Sequence, residues 1–399
     1  MKINLIETLP KRLKPIAKFI AMQESDKELA MTRLGQDIAT NWVPKMPFAR
    51  TFADAADVTT MEFSENIWVY FGPKLIGEKL FRKLYSKKLD KTLQKMVSTT
   101  AEQLLNEKNE HARTLMPIKA AIAISALAIP LGEYALSFAK NIFTLKVFKQ
   151  SDFNNIANLD KKNKVKKETP EQQKRVKDSA KKHIKLAGGL FAGCLALSAL
   201  LATRGKNSKF LNTISEALLA PGNKIFRKNI KRATSFNKYF SLDFANNNGK
   251  LGLSRGQLTA CVVAGFFGYT GAAKDRGKQN MLEVLFRYPL VGFYVITGSE
   301  MFEKGFKSIL KRKSSYKNII GKNLEVPKLS QLSDLAEKLA AQKGTTVESE
   351  FKRLFKQKST IVLAPFLFSI GFMGLFVAGV SRYFTQYRYN KEKAGRLEG

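Results

Sequence analysis

"STIVLAPFLFSIGFMGLFVAGVSR", Ser359–Arg382, has no charged side chain between Lys358 and Arg382, although the chain of 399 residues carries a formal net charge of +35. Its apolar part, Ile361 to Val380, is about the ~20 residues that a helix needs to cross ~30 Å of hydrocarbon. A soluble domain would need polar residues on at least one face of most helices. The run therefore reads as a helix in a bilayer, and the rest of the chain can be read outward from it.

A second run, "LAGGLFAGCLALSALLA" (Leu186 to Ala202), lies between Lys185 and Arg204 and is slightly short, which snorkelling cations can offset. A third, Gln257 to Ala273, is followed after "KDRGKQN" by Met281 to Gly298, and the pair reads as a helical hairpin. An earlier run, Ala120 to Ala139, contains Pro130, Gly132 and Glu133, so it is either a kinked span or a re-entrant pair of half helices. The expected fold class is all-α: a helical integral membrane protein with about five spanning helices plus basic amphipathic surface helices. The chain divides into a basic helical peripheral region (1–116), two membrane segments joined by a Lys-rich loop 146–185 (117–203) and a basic amphipathic region (204–256). A membrane hairpin (257–300), a second peripheral helical region (301–360) and the last span with its basic tail (361–399) complete it.

A mean hydropathy of −0.20 is ordinary, so the membrane reading comes from clustering of apolar residues rather than their total. The 68 Lys and Arg against 33 Asp and Glu call for a polyanionic partner. Lysines outnumber arginines 51 to 17. Lys is a point charge and Arg a bidentate fork, so this ratio suits anionic lipid better than nucleic acid. In "GEKLFRKLYSKKLDKTLQKM", Leu80, Leu84 and Tyr85 oppose Lys79, Arg82, Lys83, Lys87 and Lys88. In "APGNKIFRKNIKRATSFNKYFS", Phe226, Ile230, Ala233 and Phe240 recur at helical spacing beside Lys224, Arg227, Lys228, Lys231 and Arg232. Both read as helices lying in the headgroup layer; packing on protein with a solvated basic face is the competing reading. More of the positive residues fall on one side if the amino terminus is cytoplasmic, although the 146–185 loop then sits on the wrong side for its charge. The amino-terminal "MKINLIETLPKRLKPIAKFIAM" mixes cations through its apolar residues and does not read as a cleavable signal.

Small residues recur at four-residue spacing: Gly189 and Gly193; Ala264, Gly268 and Ala272; Gly374 and Ala378. On helices that spacing allows close packing, within the chain or between copies of it. Glu133, Glu283 and Arg287 are ionisable groups inside apolar runs, by default candidates for ion or proton coupling. Counting back from Lys140 instead places Glu133 near headgroup water.

Catalytic motifs are weak. "GLSRG" resembles a nucleophile elbow around Ser254, but it lacks a preceding strand and a nearby histidine, so Ser254 reads as the cap of the helix starting near Gln257. "ANNNGKLGLSRG" lacks the end carboxylates of a calcium loop, since Phe244 and Arg255 would occupy those positions. "EKNEH" (Glu107, His111) has no second Glu-x-x-His to form a di-metal centre. Cys194 and Cys261, both inside apolar runs, offer neither a disulfide framework nor a zinc site. Val326-Pro327 breaks the structure, Gly344 stops a short helix, and Thr345 with Glu348 is expected to cap the helix leading into the last span. The expectation is a non-enzymatic membrane scaffold or anchor without metal or cofactor, holding anionic lipid headgroups and offering 326–358 to a protein partner. The alternative is a transporter or channel for a small anionic solute, using Glu133, Glu283 and Arg287.

Overall fold

The computed structural model describes residues 5–24, 35, 37–73, 99–106, 110–160, 168–227, 229–247, 250–252 and 254–395. Counting α-helices of eight residues or more, these comprise α1 (Lys14–Glu24), α2 (Phe52–Pro73), α3 (Glu110–Ser125), α4 (Ala128–Phe148), α5 (Pro170–Arg204), α6 (Lys209–Leu219) and α7 (Ile230–Phe240). They continue with α8 (Arg255–Asp275), α9 (Lys278–Phe293), α10 (Ser299–Arg312), α11 (Leu332–Lys343), α12 (Val347–Ser369) and α13 (Ala378–Gly395). The exception to helix is a small antiparallel hairpin, β1 (Ala245–Asn247) against β2 (Lys250–Gly252), with Asn246 opposite Leu251.

Four stretches are long and apolar enough to cross a membrane: Leu115–Phe148, Pro170–Asn207, Lys278–Arg312 and Val347–Gly395. They contain four of the five expected apolar runs. The remaining run, Gln257–Ala273, is the body of α8, a helix of 21 residues that is not among the four.

The chain forms two units, Met1–Pro44 with Thr297–Phe376, and Lys45–Ile296 with Val377–Gly399. In the larger unit α4 packs against α2, α5 and α8, while α3 packs against α5 and α6. The apolar window of Leu115–Phe148 is 72% buried and that of Pro170–Asn207 only 17%, so the first forms the bundle core and the second an outer wall. Between α3 and α4 the helix is interrupted. Pro130 has no N–H to give the Ala126 carbonyl, which accepts from Ile129 N at 3.0 Å instead, and regular bonding resumes with Leu131 N to Leu127 O at 3.1 Å. The Ala120–Ala139 run is thus one locally broken helix.

The Lys-rich 146–185 stretch, expected as a loop, is helical at both ends. α4 runs to Phe148, and α5 begins at Pro170 behind a Thr169 cap whose hydroxyl accepts from Gln172 N at 3.2 Å. Pro at the first helical position and a run of straight-chain residues after it favour helix regardless of charge. The 220–241 stretch, expected as one helix, is two. Pro221–Ile225 ends, and Asn229 caps α7 by accepting from Arg232 N at 3.1 Å. An Asx side chain competing for the backbone starts a new helix there rather than continuing the old one.

In the smaller unit α12 packs on α11, α10 and α1 around Ile20, Leu310, Leu332, Phe351, Leu354 and Phe355. The apolar stripe of α11 (Leu332, Ala336, Leu339) is buried in that core. Gly344, at φ 65°, ends α11 in the left-handed conformation. The cap of α12 is Thr346, accepting from Ser349 N at 3.3 Å, one residue beyond the expected Thr345; Thr345 donates its hydroxyl to Glu350 instead. Lys358, at the edge of the last apolar run, is 2% exposed and held by Glu24 and the Pro327 carbonyl. The unit boundaries at 296/297 and 376/377 fall in π-helical stretches, Tyr294–Gly298 and Ile370–Val377.

Candidate functional site

The notable feature of the larger unit is its polar interior, which two adjoining clusters make up. α2 carries Asp54, Asp57 and Glu65, spaced so that all three lie close to one helical face, turned toward α4. Thr51 begins the helix, its hydroxyl accepting from Asp54 N at 3.0 Å.

In the first cluster Arg276 Nη1 donates to Asp57 Oδ2 at 2.9 Å, and Nη2 lies 2.9 Å from Oδ1. Lys140 Nζ approaches the same carboxylate at 3.2 Å, and Thr144 Oγ1 donates to it at 2.6 Å. Burial pushes the Asp57 carboxyl up, but Arg276, Lys140 and the hydrogen bonds from Arg276 and Thr144 outweigh it, so Asp57 stays well below the usual carboxylate range. Asp54 pairs with Arg382, which also reaches Glu283 at 3.5 Å and stands 5.2 Å from the centre of the Phe153 ring. Burial raises the Asp54 carboxyl despite Arg382. Three carboxylates here face three cations.

The second cluster is acidic and phenolic. Tyr269 donates to Glu65, Tyr288 OH lies 3.4 Å from Glu133 Oε1, and the Glu65 and Glu133 carboxyl groups are near enough to act on each other. Glu133 is 4% exposed. Burial, reinforced by the Glu62 charge, pushes Glu65 up to about 7. α8 approaches closely because it presents Gly265, where a Cβ would fall 2.4 Å from Glu133 Oε1 and 2.0 Å from Tyr288 OH. Such a pair can hold or pass a proton.

The expected ionisable residues thus take defined places. Glu133 is buried among the helices of the bundle, and Lys140, the cation from which its depth was counted back, turns inward to Asp57. Glu283 is 3% exposed and faces Arg382; Arg287 is half-buried. Asp54, Asp57, Glu65, Arg276, Arg382, Tyr269 and Tyr288 were not singled out in the sequence, although an acid stripe on α2 was there to be seen. Of the small residues, Gly268 lies against α4, a Cβ there falling 2.9 Å from Tyr134 Cα; Ala272 is buried and Ala264 half-buried. A Cβ on Gly374 would come 2.4 Å from Pro44 Cβ, and Ala378 is buried, whereas Gly189 and Gly193 have nothing within 4 Å.

Of the basic stripes, Lys79, Arg82, Lys83, Lys87, Lys88 and Lys228 lie outside the described residues. Arg227, Lys231 and Arg232 are exposed; Lys224 is half-buried, donating to Thr213 O. Beside them Ile225, Ile230 and Phe240 are 60%, 82% and 54% exposed. Ser254 caps α8 in a capping box with Gln257, as its position implies. Glu107 and the side chain of His111 lie outside the description; His183 stacks on Phe138 at 4.1 Å and meets Tyr134 OH. Among the described residues no group of three or more His, Cys, Asp or Glu is placed to hold a metal ion. Comparison with protein-family models, curated proteins and solved structures yields no match to this chain.

Proposed function

We propose that this chain is a non-enzymatic membrane scaffold or anchor whose cationic surfaces hold anionic phospholipid. The observation that carries the reading is α5. Its amino-terminal half exposes Lys174, Lys177, Lys181, Lys182 and Lys185 nearly throughout, while its apolar half leaves Leu186, Leu190 and Leu200 at 51%, 51% and 45% exposure. Water would penalise that wall by ~25 cal/mol for each Å² of apolar surface, and acyl chains would not. α8 similarly exposes Val263 and Phe267 at 49% and 62%, which supports it as a fifth span. The exposed Ile225, Ile230 and Phe240 amid Arg227, Lys231 and Arg232 suit a segment resting in the headgroup layer, with the amino terminus on the cytoplasmic face.

The test is reconstitution into bilayers of phosphatidylcholine with a minority of phosphatidylglycerol, followed by analysis of the lipid that co-purifies. Enrichment of phosphatidylglycerol that falls steeply with salt is expected; the bulk composition would refute the reading. A second reading, a proton-coupled transporter or channel for a small anionic solute, is favoured by the pairing of half-buried Glu65 with buried Glu133. It requires solute flux from proteoliposomes that Glu133→Gln abolishes without loss of insertion.

A further inference from the structure

We propose that the smaller unit holds one anionic phospholipid headgroup in a cationic pocket at the start of the last apolar run, a site that rests on the membrane reading above. The pocket, about 460 Å³, is lined by Tyr316, Ser349, Lys352, Arg353, Lys356 and Thr360, with Gln357 at its base. Arg353 is tied to Glu350 at 2.5 Å and Lys352 to Glu348 at 2.8 Å, but among the described residues no carboxylate pairs with the exposed Lys356. Lys313 and Lys317, on either side of Tyr316, are also exposed. The pocket therefore offers a net positive field with one uncompensated ammonium, a phenol and the Ser349 hydroxyl, donors a phosphodiester accepts from, while Thr360 gives its hydroxyl proton to the Lys356 carbonyl at 3.1 Å.

What makes the ligand a lipid is the helix it stands on. Ser349, Arg353, Lys356 and Thr360 occupy one face of α12, and the apolar run begins at Ile361. Leu367 lies eleven residues past Lys356, about three turns on, ~20° round and ~16 Å along the axis. Leu367 is 62% exposed and Phe368 36%. A phosphate at Lys356 thus sits in the headgroup layer, directly above an apolar strip long enough to carry an acyl chain toward the bilayer midplane. Thr360 marks the boundary, and Gln357, 7% exposed and donating to Ser315 O at 2.8 Å, fixes the pocket floor to the turn after α10.

The test uses the full chain in mixed micelles of phosphatidylglycerol and phosphatidylcholine, with bound lipid counted by native mass spectrometry. The wild type is expected to retain one phosphatidylglycerol through delipidation. Lys352→Gln with Lys356→Gln should weaken that binding about thirtyfold, roughly a five- to sixfold loss at each lysine near a charged surface. Lys352→Arg with Lys356→Arg should retain it, and Lys231→Gln with Arg232→Gln, remote in sequence, should leave this copy in place. Retention unchanged in the double Gln variant overturns the site, as does displacement of the lipid by inorganic phosphate or glycerol 3-phosphate at equal concentration, which would make it a free-anion site. A wild type that enriches phosphatidylglycerol overall but retains no single copy through delipidation spares the membrane reading and removes only this pocket; a wild type with no lipid preference removes both.

Discussion

Asp57 shows how a single residue settles the interior. Arg276 and Lys140 both spend their charge on it, and Thr144 fills the remaining acceptor position. Asp57→Asn leaves two cations facing one neutral group, so a loss of about 3–5 kcal/mol is expected, measurable as a lowered midpoint of thermal unfolding in detergent. Because the folded-state carboxyl is depressed, its contribution is complete above the ordinary carboxylate range and is lost only as pH falls well below it. Glu65 behaves in the opposite sense. With the folded state raised to about 7, the protonated form is favoured on folding, so stability declines as pH rises from the ordinary Glu range through neutrality and then levels off. Glu65→Gln should flatten that decline, about 2–3 kcal/mol in all, in unfolding midpoints taken between pH 5 and pH 8. An unchanged slope in that variant would assign the decline to another group. Glu133 and Glu283 could be singled out from sequence because each interrupts an apolar run. Their partners could not, since Arg382 is 99 residues from Glu283 and Asp57 is 219 from Arg276, and only the fold brings them together.

At the level of elements, the apolar runs and several end signals were legible: Ser254 opens α8, Gly344 closes α11, and the Leu186–Ala202 run is helix throughout. What spacing could not reveal is which small residues meet a neighbour, because the same four-residue repeat describes a packed face and a bare one. α8 lies against α4 at Gly268, where any side chain would meet the Tyr134 backbone, whereas Gly189 on α5 meets nothing. Gly268→Leu should therefore force α8 away from α4 and cost about 1–3 kcal/mol, and Gly189→Leu should be silent for the stability of the isolated chain. Equal unfolding midpoints for the two variants would contradict this packing. Charge misled in a similar way. A run of lysines reads as a solvated loop, yet helical propensity and the Thr169 cap make its part from Pro170 onward the start of α5, a cationic rod continuous with an apolar one.

For the molecule as a whole, that continuity sets a sharp boundary that can be measured. Along α5 the exposed side chains change from Lys181, Lys182 and Lys185 to Leu186 and Leu190 within about two and a half turns. A bilayer that receives the apolar half must therefore end near Lys185, with the lysines above it in the headgroup layer, where each is attracted to anionic lipid by ~1 kcal/mol. The native thiols, half-buried Cys194 and buried Cys261, can be replaced by serine or alanine to give a silent background. In proteoliposomes opened to reagent on both sides, Lys181→Cys should then react with a membrane-impermeant maleimide while Leu190→Cys, nine residues and ~14 Å further along, stays protected until detergent is added. Both positions are exposed on the protein itself, so burial against other helices cannot produce the difference. Equal labelling before detergent would place water, not acyl chains, against the outer wall, and the anchoring role would fall with it.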